Sequence, residues 1–515
     1  MFKRTSGVLM HITSLPGQFW TGTIGAEARS FAEMLAEAGC TYWQMLPLNH
    51  LSEQNSPYTN LSLFALNPNI IDLNALVDRG VLERDEVNEA FVVTGQKVSE
   101  FRMLERKKWI LLRKAFSREN EQTLREVDRF VSENEGWIHA YALFVVLKNQ
   151  YTDLLWNEWP VIGLRLHKDD AIRKALEEYR SDIAFWQYVQ FIAYQQWFEF
   201  KAYVNALGVK IIGDMPIYAS FDSADVWACN HLFQLNTKHI PKHVAGVPPD
   251  YFNRNGQLWG NPLYNWAEMR RDGYRWWMLR IQKALELYDS VRLDHFRGFH
   301  SYWAVPVANK TAKKGEWVQG PGMDFVNTIK RYFPSELFFI EDLGDVDDSV
   351  KEFFEASGYP GMRVMQFGFG EEGDPRHQVR SFDQNCIAYT GTHDNNTIIG
   401  WYDEATVQTA AESLQVMCGK NRADLTDQEI CRAWIEALFR SDAAHVMVPI
   451  QDLLAQNESA RMNLPGTSGG NWVYRVDEQL LKNLDIAWLK QLNIQTKRAP
   501  GSGAVRAHKT EDENA

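Results

Sequence analysis

The run Val291-Arg292-Leu293-Asp294-His295-Phe296-Arg297-Gly298 sets an arginine and an aspartate two residues apart in a short apolar stretch. In a strand, side chains alternate faces, so Arg292 and Asp294 point one way and Val291 and Leu293 the other. A guanidinium beside a carboxylate favours the ionised acid. An ionised, oriented Asp is what covalent glycosidase-type chemistry uses. The same pair could also be a structural ion pair at a strand end. Three further acidic strand ends shift the balance towards chemistry. Asp214 closes the run 209–214, Glu341 and Asp342 close 337–342, and His393-Asp394 follows 386–390. Acids gathered from four separate segments repel one another, so a fold tolerates them for a purpose or with cations nearby.

Two carboxyl groups about 5–5.5 Å apart support retaining glycosyl transfer. Asp294, beside Arg292, is the expected nucleophile. Glu341 follows Phe338, Phe339 and Ile340, and apolar surroundings keep a carboxyl protonated near neutral pH. It is the expected general acid/base. Asp394 would bind sugar hydroxyls and favour the distorted ring of the transition state. The rival chemistry is a metal site. No HExxH or HxH spacing occurs, and Arg292 would oppose a cation. Neither a metal nor a cofactor is expected.

The elements that must hold these residues are short β-rich runs alternating with helical stretches. The runs are 7–11, 40–47, 209–214, the Arg292–Asp294 motif, 337–342, 362–367, 386–390 and a weaker one at 460–464. Eight such repeats predict an α/β fold, a (β/α)8 TIM barrel. A doubly wound open sheet is the alternative, but it normally carries a Gly-rich phosphate turn, and none is found. The barrel would comprise 1–77 and 182–495. Residues 78–181 are rich in Glu, Lys, Arg and Leu at helical spacing and predict a large helical insertion between strands 2 and 3. Further loop and helix insertions are expected over about 215–288, after strand 3. The polar stretch 496–515 predicts a disordered tail.

Composition narrows the partners. The chain has 515 residues and a net charge of −12, which argues against nucleic acid and against an anionic membrane surface. The start of the chain has no signal-peptide pattern, and no run of about twenty apolar residues appears. Five widely spaced cysteines fit buried free thiols in a reducing compartment, so a cytoplasmic monomer or homodimer is expected.

The motifs together resemble the 4-α-glucanotransferases of the amylomaltase (disproportionating enzyme) type, glycoside hydrolase family 77, related to the α-amylases. The resemblance runs from about Gly7 to Arg475. It is carried by Ser56-Pro57-Tyr58, Gly213-Asp214-Met215-Pro216, Pro248-Pro249-Asp250-Tyr251, Gly256-Gln257-Leu258-Trp259-Gly260, the Arg292–Asp294 motif, Glu341-Asp342-Leu343-Gly344 and Gly391-Thr392-His393-Asp394-Asn395. It implies transfer of an α-1,4-glucan segment between maltooligosaccharides, no cofactor, and no C-terminal β-sandwich. Residue by residue, it makes Asp294 the nucleophile, Glu341 the acid/base and Asp394 the transition-state stabiliser. It places Arg292, Asp214 and His393 around the −1 sugar, and Tyr58, Asp250, Trp259 and Asn463 around donor and acceptor subsites. Relatives often carry a Gly-Asp step before the Ser-Pro-Tyr motif, where this chain has Glu53-Gln54-Asn55. An amylase-like hydrolase would use the same residues. A non-catalytic glucan-binding protein is the alternative of another class, but it needs no pair of carboxyls at catalytic spacing.

Overall fold

The computed structural model describes residues 3–52, 55–91, 101–249, 254–344, 346–371, 373–467 and 469–500. Eight parallel strands close into a barrel. They are β1 (Thr5–Leu9), β2 (Tyr42–Gln44), β3 (Lys210–Met215), β6 (Ser290–Leu293), β9 (Phe338–Ile340), β10 (Gly361–Val364), β11 (Cys386–Tyr389) and β12 (His445–Pro449). Closure pairs β1 with both β2 and β12. The strands are short, apolar and almost wholly buried, as expected where helices cover the outside and side chains fill the inside.

The expected eighth strand at 460–464 is not one. The strand is His445–Pro449, a β-branched run ended by proline. Residues 460–464 form the end of a short 3-10 turn and the loop after it.

Register places the acids. Asp214 on β3 lies directly opposite Arg292 on β6. Leu293 on β6 lies opposite Ile340 on β9, so Glu341 emerges one residue beyond. Three neighbouring strands thus deliver Asp214, Asp294 and Glu341 to one rim, the C-terminal end where barrel enzymes carry their sites. β3 runs close against Tyr288, and a Cβ at Gly213 would sit 2.1 Å from its ring. Only glycine lets the strand pass there.

Between β2 and β3 lies the expected helical segment. Its longest helices are Phe101–Ser117, Glu121–Glu133, Ile138–Gln150 and Asp169–Glu178. Helix Ile138–Gln150 is buried nearly all round and packs against Arg180–Ala206 and Ala224–Ala228. Its buried side chains belong to the same hydrophobic core as the barrel's helices.

The stretch after β3 holds more than loops. β4 (His243–Val247) and β5 (Gln257–Pro262) pair with β7 (Ser301–Pro306) and β8 (Glu316–Gln319) in a four-stranded antiparallel sheet. β7 and β8 follow the Arg292–Asp294 motif itself. The sequence reading had no strands there, since their alternation is broken by Gly260 and by mixed polar residues.

The start of the expected tail is part of the fold. Arg498 is fully buried and donates to the carbonyls of Thr5, Phe439, Ser441, Ala443 and Ala444. Residues 501–515 lie outside the described residues. All five cysteines are unpaired, and Cys418 is exposed rather than buried. No described helix is long and apolar enough to cross a membrane.

Candidate active site

A cleft of about 990 Å3 opens over the C-terminal rim of the barrel. Tyr58, Trp259, Asp294, Glu341, His393, Asp394 and Asn463 all line it. Asp214 and Arg292 lie just beneath, with side chains 0% and 5% exposed. Asp250 and the Glu53-Gln54 step lie outside the described residues.

Arg292 organises the floor. Its Nη1 donates to both oxygens of Asp214 at 2.7 Å and to Asp294 Oδ1 at 3.1 Å. Its Nη2 donates to Glu341 Oε2, and its Nε to the Met362 sulfur at 3.5 Å. One buried cation therefore serves three carboxyl groups, the arrangement in which such a cluster is tolerated. Its planar fork makes that possible where a lysine would not.

Asp294 and Glu341 both accept from Arg292, one from each terminal nitrogen. Two carboxyl groups on one guanidinium influence each other's ionisation, so they titrate as a pair. Burial, then the Glu341 charge, push the Asp294 carboxyl well above the usual range, against the pull of Arg292. Burial opposes ionisation of Glu341 too. Arg292 outweighs it, helped by the His295 backbone N–H, and holds Glu341 below its usual range. The guanidinium is thus shared: it serves Asp214 and Glu341 as well as its neighbour in sequence, Asp294.

Backbone geometry supports the pair. Glu341 N–H donates to Leu293 O at 3.0 Å, and Asp294 N–H to Met215 O at 3.2 Å. His295 sits in the left-handed region with φ 44°, and its N–H donates to Glu341 Oε2 at 3.2 Å. A non-glycine residue held there carries local strain, as at many functional sites. Burial lowers its imidazole to about 4, so the ring is neutral. It meets the Trp259 indole edge to face at 4.9 Å.

Across the cleft, Asp394 Oδ1 accepts from Asn463 Nδ2 at 2.6 Å, and its Oδ2 lies 3.3 Å from His393 Nε2. Burial opposes its charge, but His393 and Asn463 hold its carboxyl down at about 2. Its side chain is 46% exposed, so the charge faces the cleft. The Tyr58 hydroxyl donates to Asp214 Oδ2 at 2.7 Å and meets His393 Nε2 at 3.0 Å. Its ring stacks on His393 at 5.4 Å and lies 5.7 Å from Trp472. Trp259 is 37% exposed, an aromatic platform on β5 at the cleft's edge.

Three residues escaped the sequence reading. His295 was visible as the neighbour of Asp294. Trp472 carried no signal beyond its glycine-rich surroundings. Asp452 was hidden because β12, which it follows, was not recognised. It is 1% exposed and accepts from Thr390 Oγ1 at 2.6 Å and Ile398 N–H at 2.8 Å. It ties together both ends of the loop that carries His393 and Asp394. Burial pushes its carboxyl up to about 6. Other acids have structural partners. Asp342 accepts from Met362 N–H and pairs with Arg363. Ser223 caps helix Ala224–Ala228. Asp222 pairs with Lys148 at 2.6 Å, and Asp225 accepts from Leu63 N–H.

Comparison with known proteins gives the same picture. Residues 10–481 match the protein family described as 4-alpha-glucanotransferase. The 4-alpha-glucanotransferase of Streptococcus pneumoniae is 38% identical over 486 residues, covering 93% of this chain and 95% of that protein. The 4-alpha-glucanotransferase of Thermus thermophilus is 39% identical over 479 residues, 92% of this chain and 95% of its own length. The structure of an amylomaltase from Streptococcus agalactiae, in complex with acarbose, superposes with a TM-score of 0.91 at 35% identity, covering 96% of this chain and 100% of that one. The strand-rim acids, their shared arginine and the near full-length match agree: the chain belongs to the 4-alpha-glucanotransferase family.

Proposed function

We propose that this enzyme transfers an α-1,4-glucan segment to the 4-hydroxyl of another glucan or glucose, with retention, through a covalent glycosyl–Asp294 intermediate. The observation that carries the reading is the Asp294–Glu341 pair, joined through one arginine at the floor of an open cleft. A sugar entering between them parts the two carboxyls. Glu341 then carries the pair's proton and Asp294 is ionised, as attack requires. Glu341 protonates the glycosidic oxygen as Asp294 bonds to the anomeric carbon, and the reducing-end segment leaves. The acceptor's 4-hydroxyl then loses its proton to Glu341 and displaces Asp294. Asp394, oriented by Asn463 and His393, accepts hydrogen bonds from sugar hydroxyls. Trp259 gives a flat face for a glucosyl ring. Arg292 and Asp214 hold the carboxyls and Tyr58 in place from below.

Incubation with maltotriose tests transfer against hydrolysis. Free glucose and a ladder of longer maltooligosaccharides should appear at a constant number of reducing ends. A steady rise in reducing ends without longer products would identify a hydrolase. Unchanged maltotriose would leave only a glucan-binding protein.

Substitutions at two positions probe the supports. Tyr58→Phe removes the hydroxyl bonded to Asp214 and His393. Hydrogen bonds to charged groups contribute about 1.5–3 kcal/mol, so kcat/KM for maltotriose should fall roughly 10- to 100-fold, with the melting temperature little changed. Asp452→Ala frees both ends of the Asp394 loop and should lower kcat about tenfold through displacement of that loop. Asp452→Asn can still accept from Ile398 and donate to Thr390, so it should retain activity. The Asp452 carboxyl is raised by folding, so its stabilisation is present at low pH and lost as pH rises from about 4 through about 6. Asp452→Asn should therefore gain stability over wild type across that window, read by thermal melts at several pH values.

A further inference from the structure

Trp472 is a wall of two spaces. One is the catalytic cleft; the other is a separate cavity of about 250 Å3. That volume equals the share of about eight waters at ~30 Å3 each, room for one pyranose ring but not for a glucan chain. Trp20 and Trp472 both line it, with left-handed backbones at φ 62° and 64°. A bulky residue rarely adopts that conformation without something to hold it there.

The polar lining is one-sided. Among the described residues that line the cavity there is no Asp or Glu. Arg475 reaches it with Nε and Nη2 both donating to the Trp20 carbonyl, at 2.9 and 2.8 Å. Its Nη1 has no partner among the described residues, and no described carboxylate pairs with the guanidinium. Burial lowers its pKa to about 10, so it remains a cation at neutral pH. His11, on the same wall, is held neutral by burial and then by Arg475. Its Nδ1 is buried with no hydrogen-bond partner. Thr13 and Thr21 add hydroxyls. A half-buried cation with no described counter-charge stands beside a buried ring nitrogen without a partner, and a ligand that meets both gains from each.

We propose that this cavity binds a single hexose carrying an anionic group, in chemical class a hexose monophosphate. The phosphate oxygens would accept from Arg475, and a pyranose face would lie against an indole. Inorganic phosphate would satisfy the guanidinium but leave the aromatic walls uncovered. Glucose would do the reverse. Binding is measured without turnover, so the proposal stands or falls separately from the role of Asp294.

Calorimetric titration of the wild-type protein, with acarbose saturating the cleft, tests it. Glucose 6-phosphate is expected to bind once per chain with Kd of about 1 mM or tighter, and glucose and inorganic phosphate each at least about tenfold more weakly. Arg475→Gln should weaken glucose 6-phosphate at least about tenfold, and Thr13→Val about threefold. Should Arg475→Gln not fold, Thr13→Val decides alone. The proposal is overturned if glucose 6-phosphate shows no binding, if acarbose displaces it, if inorganic phosphate binds as tightly, or if the variants leave its affinity unchanged.

Discussion

Asp294→Asn is expected to lower maltotriose disproportionation by at least about 1000-fold, while leaving the fold and glucan binding intact. Loss of a nucleophile removes the covalent route entirely, and what remains comes from binding and the other groups. Asn matches Asp in shape and can still accept from Arg292 Nη1, which donates to Asp294 at 3.1 Å. The substitution also removes one member of a crowded pair. Burial and the Glu341 charge already push the Asp294 carboxyl well up, so the native site sets charge against burial for the sake of reaction. The melting temperature of the variant should equal or exceed that of the wild type, the usual relation between a strained site and stability. Activity above about one hundredth of wild type would mean that another group attacks the sugar.

Glu341→Gln is expected to slow disproportionation about 100- to 10,000-fold, the range for loss of a general acid/base. Its signature separates the two half-reactions. A maltosyl fluoride donor has a leaving group that needs no protonation. With that donor, formation of the intermediate should recover, while its transfer to an acceptor stays slow. The pH dependence carries a sign. The proposed mechanism needs one proton on the pair, so the wild-type rate should fall at low pH as a second proton binds and at high pH as the shared one leaves. In Glu341→Gln with the fluoride donor, the high-pH fall should vanish, because ionised Asp294 alone suffices. A high-pH fall that persists would remove Glu341 from the acid role.

The chemistry of this site was legible because it is written locally. Each acid sits at the end of an apolar run, and alternation puts Arg292 and Asp294 on one face. That carried the barrel, most of its strands and the three cleft carboxyls. Three things depended on the folded arrangement. The first was the reach of the guanidinium. Arg292 lies two residues from Asp294 in sequence, but register sets it opposite Asp214, and its Nη2 reaches Glu341. The second was depth. Asp214 reads as a sugar contact, yet its side chain is wholly covered beneath Tyr58. The third was everything carried by missed strands. His445–Pro449 was passed over for 460–464, so Asp452 had no visible link to the Asp394 loop. The small antiparallel sheet beneath Trp259 joins segments on either side of β6, and such long-range pairing leaves little local pattern.

The central claim is that Asp294 becomes covalently glycosylated. The Glu341→Gln variant should accumulate that species when given maltosyl fluoride, since deglycosylation lacks its base. Peptide mass spectrometry after rapid acid quench should find the maltosyl mass on the peptide containing Asp294. It should be absent in a double variant that also carries Asp294→Asn. Label on a different residue, or a fully competent variant that never carries label, would contradict the account.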